Sequence, residues 1–208
     1  AFYDCDALTG ISFPETTVLI EDRAFDSCDG LAEVAFEGAG ADRTIGDQVF
    51  EDCTSLKEIT LPGEVVSVGD GAFAGCTSLA AIELQNGLET IGSEFLKDTA
   101  VTEITLPRSV SSANYALGGA QNLKKVTFAD GIKTVPANLL RRSYSNDEGS
   151  NISEVVMPES VTTIGESAFY NCDALTGITL PGKLETVGRY AFYDCDALTG
   201  ISFPETTV

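Results

Sequence analysis

Apolar residues along this chain recur with two interleaved periods. At short range, Ile59 and Leu61 flank Thr60, and the same alternation surrounds Thr105, Thr179 and Ser202. A period of two puts one set of side chains on one face of an extended strand. At long range the whole pattern returns, mostly every 22 to 25 residues, on the motif Ala-Phe-x-x-Cys. Phe2, Phe25, Phe50, Phe73, Phe169 and Phe192 mark it, with Leu117 and Leu140 in the same slot and Phe95 or Leu96 in a shortened unit. A fixed period of that size signals a solenoid or a propeller.

Inside each unit runs Leu-x-x-Ile-x-Leu-Pro, as in Leu56 to Pro62 and Leu175 to Pro181. Proline cannot donate to a sheet ladder, so Pro14, Pro62, Pro107, Pro158, Pro181 and Pro204 are expected to end their strands. A second apolar pair follows, as in Val161-x-x-Ile164-Gly165. Its glycine (Gly46, Gly69, Gly92, Gly165, Gly188) is expected in a turn with positive φ. Each unit therefore reads as strand, turn, short extended segment, turn. A single unit holds too few apolar side chains to offset the entropy of ordering its backbone, so the units must stack.

These elements resemble the BspA-like class of bacterial leucine-rich repeats, whose pattern runs approximately Ala-Phe-x-x-Cys-x-x-Leu-x-x-Ile-x-Leu-Pro-x-x-Val-x-x-Ile-Gly. The resemblance spans nearly the whole chain. It implies a leucine-rich-repeat solenoid of the β-rich α/β repeat class: a curved parallel β-sheet on the concave side, with short extended or 3₁₀ segments opposite. We expect a single leucine-rich-repeat domain over 1-208, of about nine repeats, with irregular repeats at 95-151. Residues 1-18 and 191-208 are identical, so both ends are expected to be truncated within a repeat of a longer array. The resemblance further implies a secreted or cell-surface bacterial protein, in some cases one that adheres to host matrix proteins.

Composition narrows the chemistry. A formal charge of -20 disfavours nucleic acid and anionic lipid, which bind through clustered Lys and Arg. No apolar run approaches the roughly 18 residues of a membrane helix, so direct membrane insertion is not expected. Histidine is absent, which excludes Ser-His and Cys-His nucleophile pairs within the chain. Cys5, Cys28, Cys53, Cys76, Cys172 and Cys195 occupy one repeat slot and are expected to stack inward as free thiols, not to bridge or bind zinc. The abundant carboxylates fall at turns beside the rung cysteines and match no calcium-loop pattern. Gly118-Gly119 lacks the Lys-Ser/Thr of a phosphate loop. No catalytic residue, cofactor or metal is expected, and the chain is not expected to be an enzyme.

The repeat aligns exposed strand positions into columns. One reads Ser12, Ala35, Thr60, Glu83, Thr105, Thr127, Val156, Thr179, Ser202; its neighbour reads Gly10, Glu33, Glu58, Ala81, Glu103, Lys125, Glu154, Gly177, Gly200. Lys125 is therefore expected between two carboxylates. Residues 95-142 carry seven bases against three acids, net +4, whereas the remainder carries five bases and 29 acids, net -24. The same region holds an insertion over 143-151. The candidate ligand-binding residues are Arg108, Lys124 and Lys125 near the sheet, with Arg141 and Arg142 beside the insertion. The expected role is non-catalytic binding of a protein or glycan, such as host extracellular matrix, at the cell surface or outside the cell. A spacer array presenting another domain, or the non-catalytic part of a larger surface enzyme, are the alternatives.

Overall fold

The structure is a computed structural model in which residues 1-38, 40-141 and 150-202 are described. Short parallel strands alternate between two ladders as the chain winds. In chain order they are β1 (Gly10–Phe13), β2 (Leu19–Ile20), β3 (Glu33–Phe36), β4 (Arg43–Ile45), β5 (Glu58–Leu61), β6 (Val65–Val68), β7 (Ala81–Leu84) and β8 (Thr90–Ile91). The second half adds β9 (Glu103–Leu106), β10 (Lys125–Phe128), β11 (Thr134–Val135), β12 (Glu154–Val156), β13 (Thr163–Ile164), β14 (Gly177–Thr179), β15 (Thr186–Val187) and β16 (Gly200–Ser202). The longer strands form one face. Strands β2, β4, β6 and β8, and then β11, β13 and β15, form the second ladder, bridged between β8 and the next rung by Thr90 and Ser112. The molecule is thus a parallel-strand β-solenoid of about eight turns, with no helix among the described residues.

The registers follow the columns read from the repeat, with Ser12 beside Ala35, Thr60 beside Glu83, Thr105 beside Thr127, and Thr179 beside Ser202. Ladder hydrogen bonding on the long-strand face is interrupted between β3 and β5, β7 and β9, and β12 and β14. At each interruption the incoming strand is closed by proline: Pro62, Pro107 and Pro181. Where the closing residue is not proline, its N–H bonds back to the preceding rung, as Glu37 does to Phe13, Gln85 to Leu61 and Ala129 to Leu106. Proline lacks that donor, and the junction opens. Strands β12 and β16 stay paired despite Pro158 and Pro204, so the missing bond weakens a junction without deciding it.

Between the ladders lies one continuous core. The Phe slot stacks in file: ring centroids are 5.0 Å apart for Phe2–Phe25, 5.6 Å for Phe25–Phe50 and 5.4 Å for Phe50–Phe73. Cys28, Cys53, Cys76 and Cys172 are fully buried, Cys5 and Cys195 half-buried, and all six are free thiols. Each of several thiols donates to the Phe carbonyl of the preceding rung, Cys53 to Phe25 at 3.2 Å and Cys76 to Phe50 at 3.0 Å. In the shortened unit Leu96 takes the Phe slot and Phe95 the alanine slot, since Phe73 N–H bonds to Phe95 O as Phe50 N–H does to Ala72 O. Buried Thr99 fills the cysteine position and donates to Leu96 O at 2.9 Å.

The glycine of the second pair is corrected by the structure. Gly46, Gly69, Gly92, Gly165 and Gly188 do not have positive φ. Close approach demands them instead: a Cβ on Gly69 would lie 2.5 Å from the carbonyl carbon of Gly46. The left-handed positions fall elsewhere, before the alanine and before the cysteine of the motif, as at Gln48 (φ 55°) and Asp52 (φ 56°). At the neighbouring corner a file of carboxylates ties rung to rung. Asp47 N–H bonds to Asp22 Oδ1 (2.9 Å), Asp70 N–H to Asp47 Oδ1 (2.8 Å) and Ser93 N–H to Asp70 Oδ1 (2.6 Å).

Candidate functional site

The candidate basic residues occupy three different parts of the rung. Lys125 opens β10 in register between Glu103 and Glu154, as its column requires, and its Nζ lies 2.6 Å from Glu154 Oε1. The hydrogen bond and charge of Glu154, with a further contribution from Glu103, raise the ammonium above the ordinary lysine range. Its charge is answered within the chain. Lys124 precedes the strand with an exposed side chain, its N–H bonded to Thr102 O. Exposed Arg108 lies beyond the far end of β9, its stem against Gly131 of the next rung. Thr102 precedes β9 and Arg108 follows it, so Lys124 and Arg108 stand at opposite ends of the strands.

Arg141 sits on the turn corner with its guanidinium 4.9 Å from the centre of the Tyr170 ring. Arg142 and residues 143-149 lie outside the described residues. The remaining insertion residues are tied to the body: Ser150 N–H bonds to Asn171 O (2.7 Å) and Asn151 Nδ2 to Gln121 O (2.7 Å). The structure therefore brings together no two of the described candidates beyond the sequence neighbours Lys124 and Lys125.

Several features escape the periodic pattern. Arg43 is fully buried, pairing with Val65 of β6 through a one-residue register shift. Its Nε donates to Thr17 O (2.7 Å) and one terminal nitrogen to Pro14 O (3.1 Å), the other terminal nitrogen has no partner, and its guanidinium lies 5.1 Å from the Phe36 ring centre. Tyr170 stacks on Tyr193 at 5.0 Å, and Tyr190 meets Tyr193 edge-on at 5.5 Å. Counting bases by segment could not show these contacts, although tyrosines at 170 and 193 share a slot one repeat apart.

What the described residues offer is surface. The long-strand face carries small hydroxyl side chains in one column, Thr105 in register with Thr127 and Thr179 with Ser202, interrupted by Glu83 beside Thr60 and Val156 beside Thr127, and it is framed by carboxylates. Burial, then the charges of Asp26 and Asp52, push the corner carboxyl of Glu51 above the usual range. Among the described residues no group of histidine, cysteine or carboxylate side chains is arranged to hold a metal ion.

Comparison with known proteins agrees with this architecture. The BspA type leucine rich repeat region matches in six copies, over residues 1–115, 43–147 and 142–208. A leucine-rich repeat protein from Bacteroides ovatus is 28% identical with a TM-score of 0.61, covering 95% of this chain and 55% of its own. The leucine rich repeat protein of T. pallidum is 26% identical with a TM-score of 0.61, covering 80% of this chain and 77% of its own. The chain thus spans little more than half the length of the Bacteroides ovatus protein. No curated protein matches. With the motif recurring along the chain, the two parallel ladders it builds and the family match over its length, the chain belongs to the BspA type leucine-rich repeat family.

Proposed function

We propose that this chain is a non-catalytic recognition scaffold that presents its long-strand face to a protein or glycan ligand at a bacterial cell surface. The observation that carries this reading is the exposed strand column, in which Thr105 pairs with Thr127 and Thr179 with Ser202, a surface of mostly small polar groups over one continuous core. Such a surface complements an extended partner; it does not enclose a small reacting molecule. Family membership and the absence of histidine support a binding role. Adhesion to host extracellular matrix is the specific form we favour, with Arg108, Lys124 and Lys125, and Arg141 and Arg142 beside the insertion, orienting acidic ligands toward the +4 segment.

A binding screen of the chain against immobilised matrix proteins and glycans tests this. For an acidic ligand so found, the Arg108→Ala, Lys124→Ala, Lys125→Ala triple variant is expected to weaken binding and flatten its salt dependence, because rim charges act on association rate. Unchanged affinity and salt dependence would remove the basic segment from the site. No binding across the screen would favour a spacer role.

A further inference from the structure

At the corner after the second ladder each rung offers two slots, one just before the alanine position of the motif and one just after its phenylalanine position. One rung fills them with Gln48 and Glu51, and the rung two turns on with Glu94 and Lys97; between them the slots hold only Gly71 and Ala74. Hydrogen bonds between rungs fix this alignment, with Gly71 N–H on Ser93 O (2.8 Å) and Asp52 N–H on Ala74 O (2.8 Å). The small pair leaves a notch of about 750 Å³, bordered at its far end by Asn114 and Tyr115. On one wall, no ion pair or side-chain hydrogen bond among the described residues reaches the Glu51 carboxyl. Beside it Gln48 Oε1 accepts from Arg23 Nε (2.8 Å), which leaves Gln48 Nε2 to donate. On the other wall Lys97 Nζ lies 3.2 Å from Glu94 Oε2. Burial, then Asp26 and Asp52, raise the Glu51 carboxyl while Lys97 draws it back, so the two walls act on one space. A cationic ligand would meet Lys97 there, and an anionic one Glu51 and Glu94. A neutral ligand rich in hydroxyls suits both walls, since each hydroxyl donates and accepts. Gly71 and Ala74 at the base offer bare backbone and a methyl group to the C–H face of a sugar ring.

We propose that this notch binds one neutral hexopyranose unit, whose neighbouring hydroxyls donate to Glu51 on one wall and accept from Lys97 on the other while its C–H face lies on Gly71 and Ala74. The notch lies off the long-strand face, so this small-ligand site is independent of the adhesion proposed above.

The test is saturation-transfer NMR titration of the full chain with the methyl glycosides of glucose, galactose and mannose. At least one is expected to bind saturably with a Kd of about 1 to 10 mM, because a single sugar unit makes few contacts. Gly71→Gln refills the notch with the side chain that the neighbouring rung carries. Its Cβ would meet Gln48 Cγ at 3.4 Å and Ala74 Cβ at 3.7 Å, both ordinary contacts. Gln48 and Glu94 hold the same slot at φ 55° and 53°, so the variant is expected to fold, and it should weaken binding at least about tenfold by occupying the space. Glu51→Gln keeps the shape, loses the charged acceptor and is expected to weaken binding at least about threefold. Glu166→Gln removes an equal charge farther along the same corner and should stay within about twofold, since remote exposed charges are screened. The proposal is overturned by no saturable binding of any of the three glycosides, by wild-type affinity in a folded Gly71→Gln variant, or by equal losses in Glu51→Gln and Glu166→Gln. Should Gly71→Gln fail to fold, the comparison of Glu51→Gln with Glu166→Gln still decides.

Discussion

At the scale of single residues the core holds two departures from simple apolar packing. Arg43 brings a charge into it, offset by two carbonyls and the face of Phe36. Truncation would leave the Pro14 and Thr17 carbonyls without their donor and open a cavity, so Arg43→Ala is expected to cost about 3 kcal/mol. Arg43→Met, which refills the volume without the charge, should cost about half as much by urea denaturation. Equal losses would mean that the carbonyl bonds dominate. The thiols are the second departure. Burial pushes Cys53 up to about 12 and Cys76 well above the usual value. Unfolded thiols ionise near about 8.5, so the stability tied to these raised values is complete below that pH and is lost as pH rises toward the folded values. A Cys53→Ala, Cys76→Ala variant should therefore lose less stability than wild type between pH 7.5 and 10; parallel losses would contradict it. The inward thiol file was legible because all six cysteines share a slot. Arg43 was not, because only the register shift in β4 and β6 carries it into the place of Val65.

At the scale of the element, the rung is set by contacts between equivalent positions on neighbouring turns. The strand columns were readable because a period of two inside a period near 23 leaves one alignment that turns the Ile and Leu of the long strands toward the core. The role of the second-pair glycine was misread, because a sequence shows that a position excludes side chains and not whether backbone angle or a neighbouring backbone is the cause. A Cβ on Gly69 would meet main chain, which cannot swing aside, so Gly69→Ala is expected to cost about 3 kcal/mol. Asp47 receives one N–H from the next rung, and Asp47→Ala should cost about 1 to 2 kcal/mol, while Asp47→Asn keeps the acceptor and should cost less. Thermal unfolding of the three variants ranks these effects; Gly69→Ala as stable as wild type would refute close approach as the reason for the glycine. The open junctions were half legible: the prolines mark where a closing donor is missing, but Pro158 and Pro204 follow strands that stay paired.

At the scale of the whole molecule, a stack of near-equivalent turns converts a repeated motif into two uniform faces. Charge is distributed unevenly over them, since the segment 95-142 is net +4 in a chain of -20. That polarity was visible in the sequence. Its placement was not, because Arg108, Lys124, Lys125 and Arg141 follow each other closely in the chain yet fall at different positions around the rung. The central claim is that recognition belongs to the long-strand face. It is tested most directly by measuring adhesion of two variants to whatever matrix protein or glycan the wild-type chain binds. One variant carries Thr60→Arg, Thr105→Arg and Thr127→Arg on the long strands; the other carries Ser67→Arg, Thr90→Arg and Thr134→Arg on the second ladder. With equal charge added and both variants folded by circular dichroism, the first is expected to lose at least about tenfold in affinity and the second to stay within about twofold. Equal losses, or loss confined to the second variant, would contradict the account.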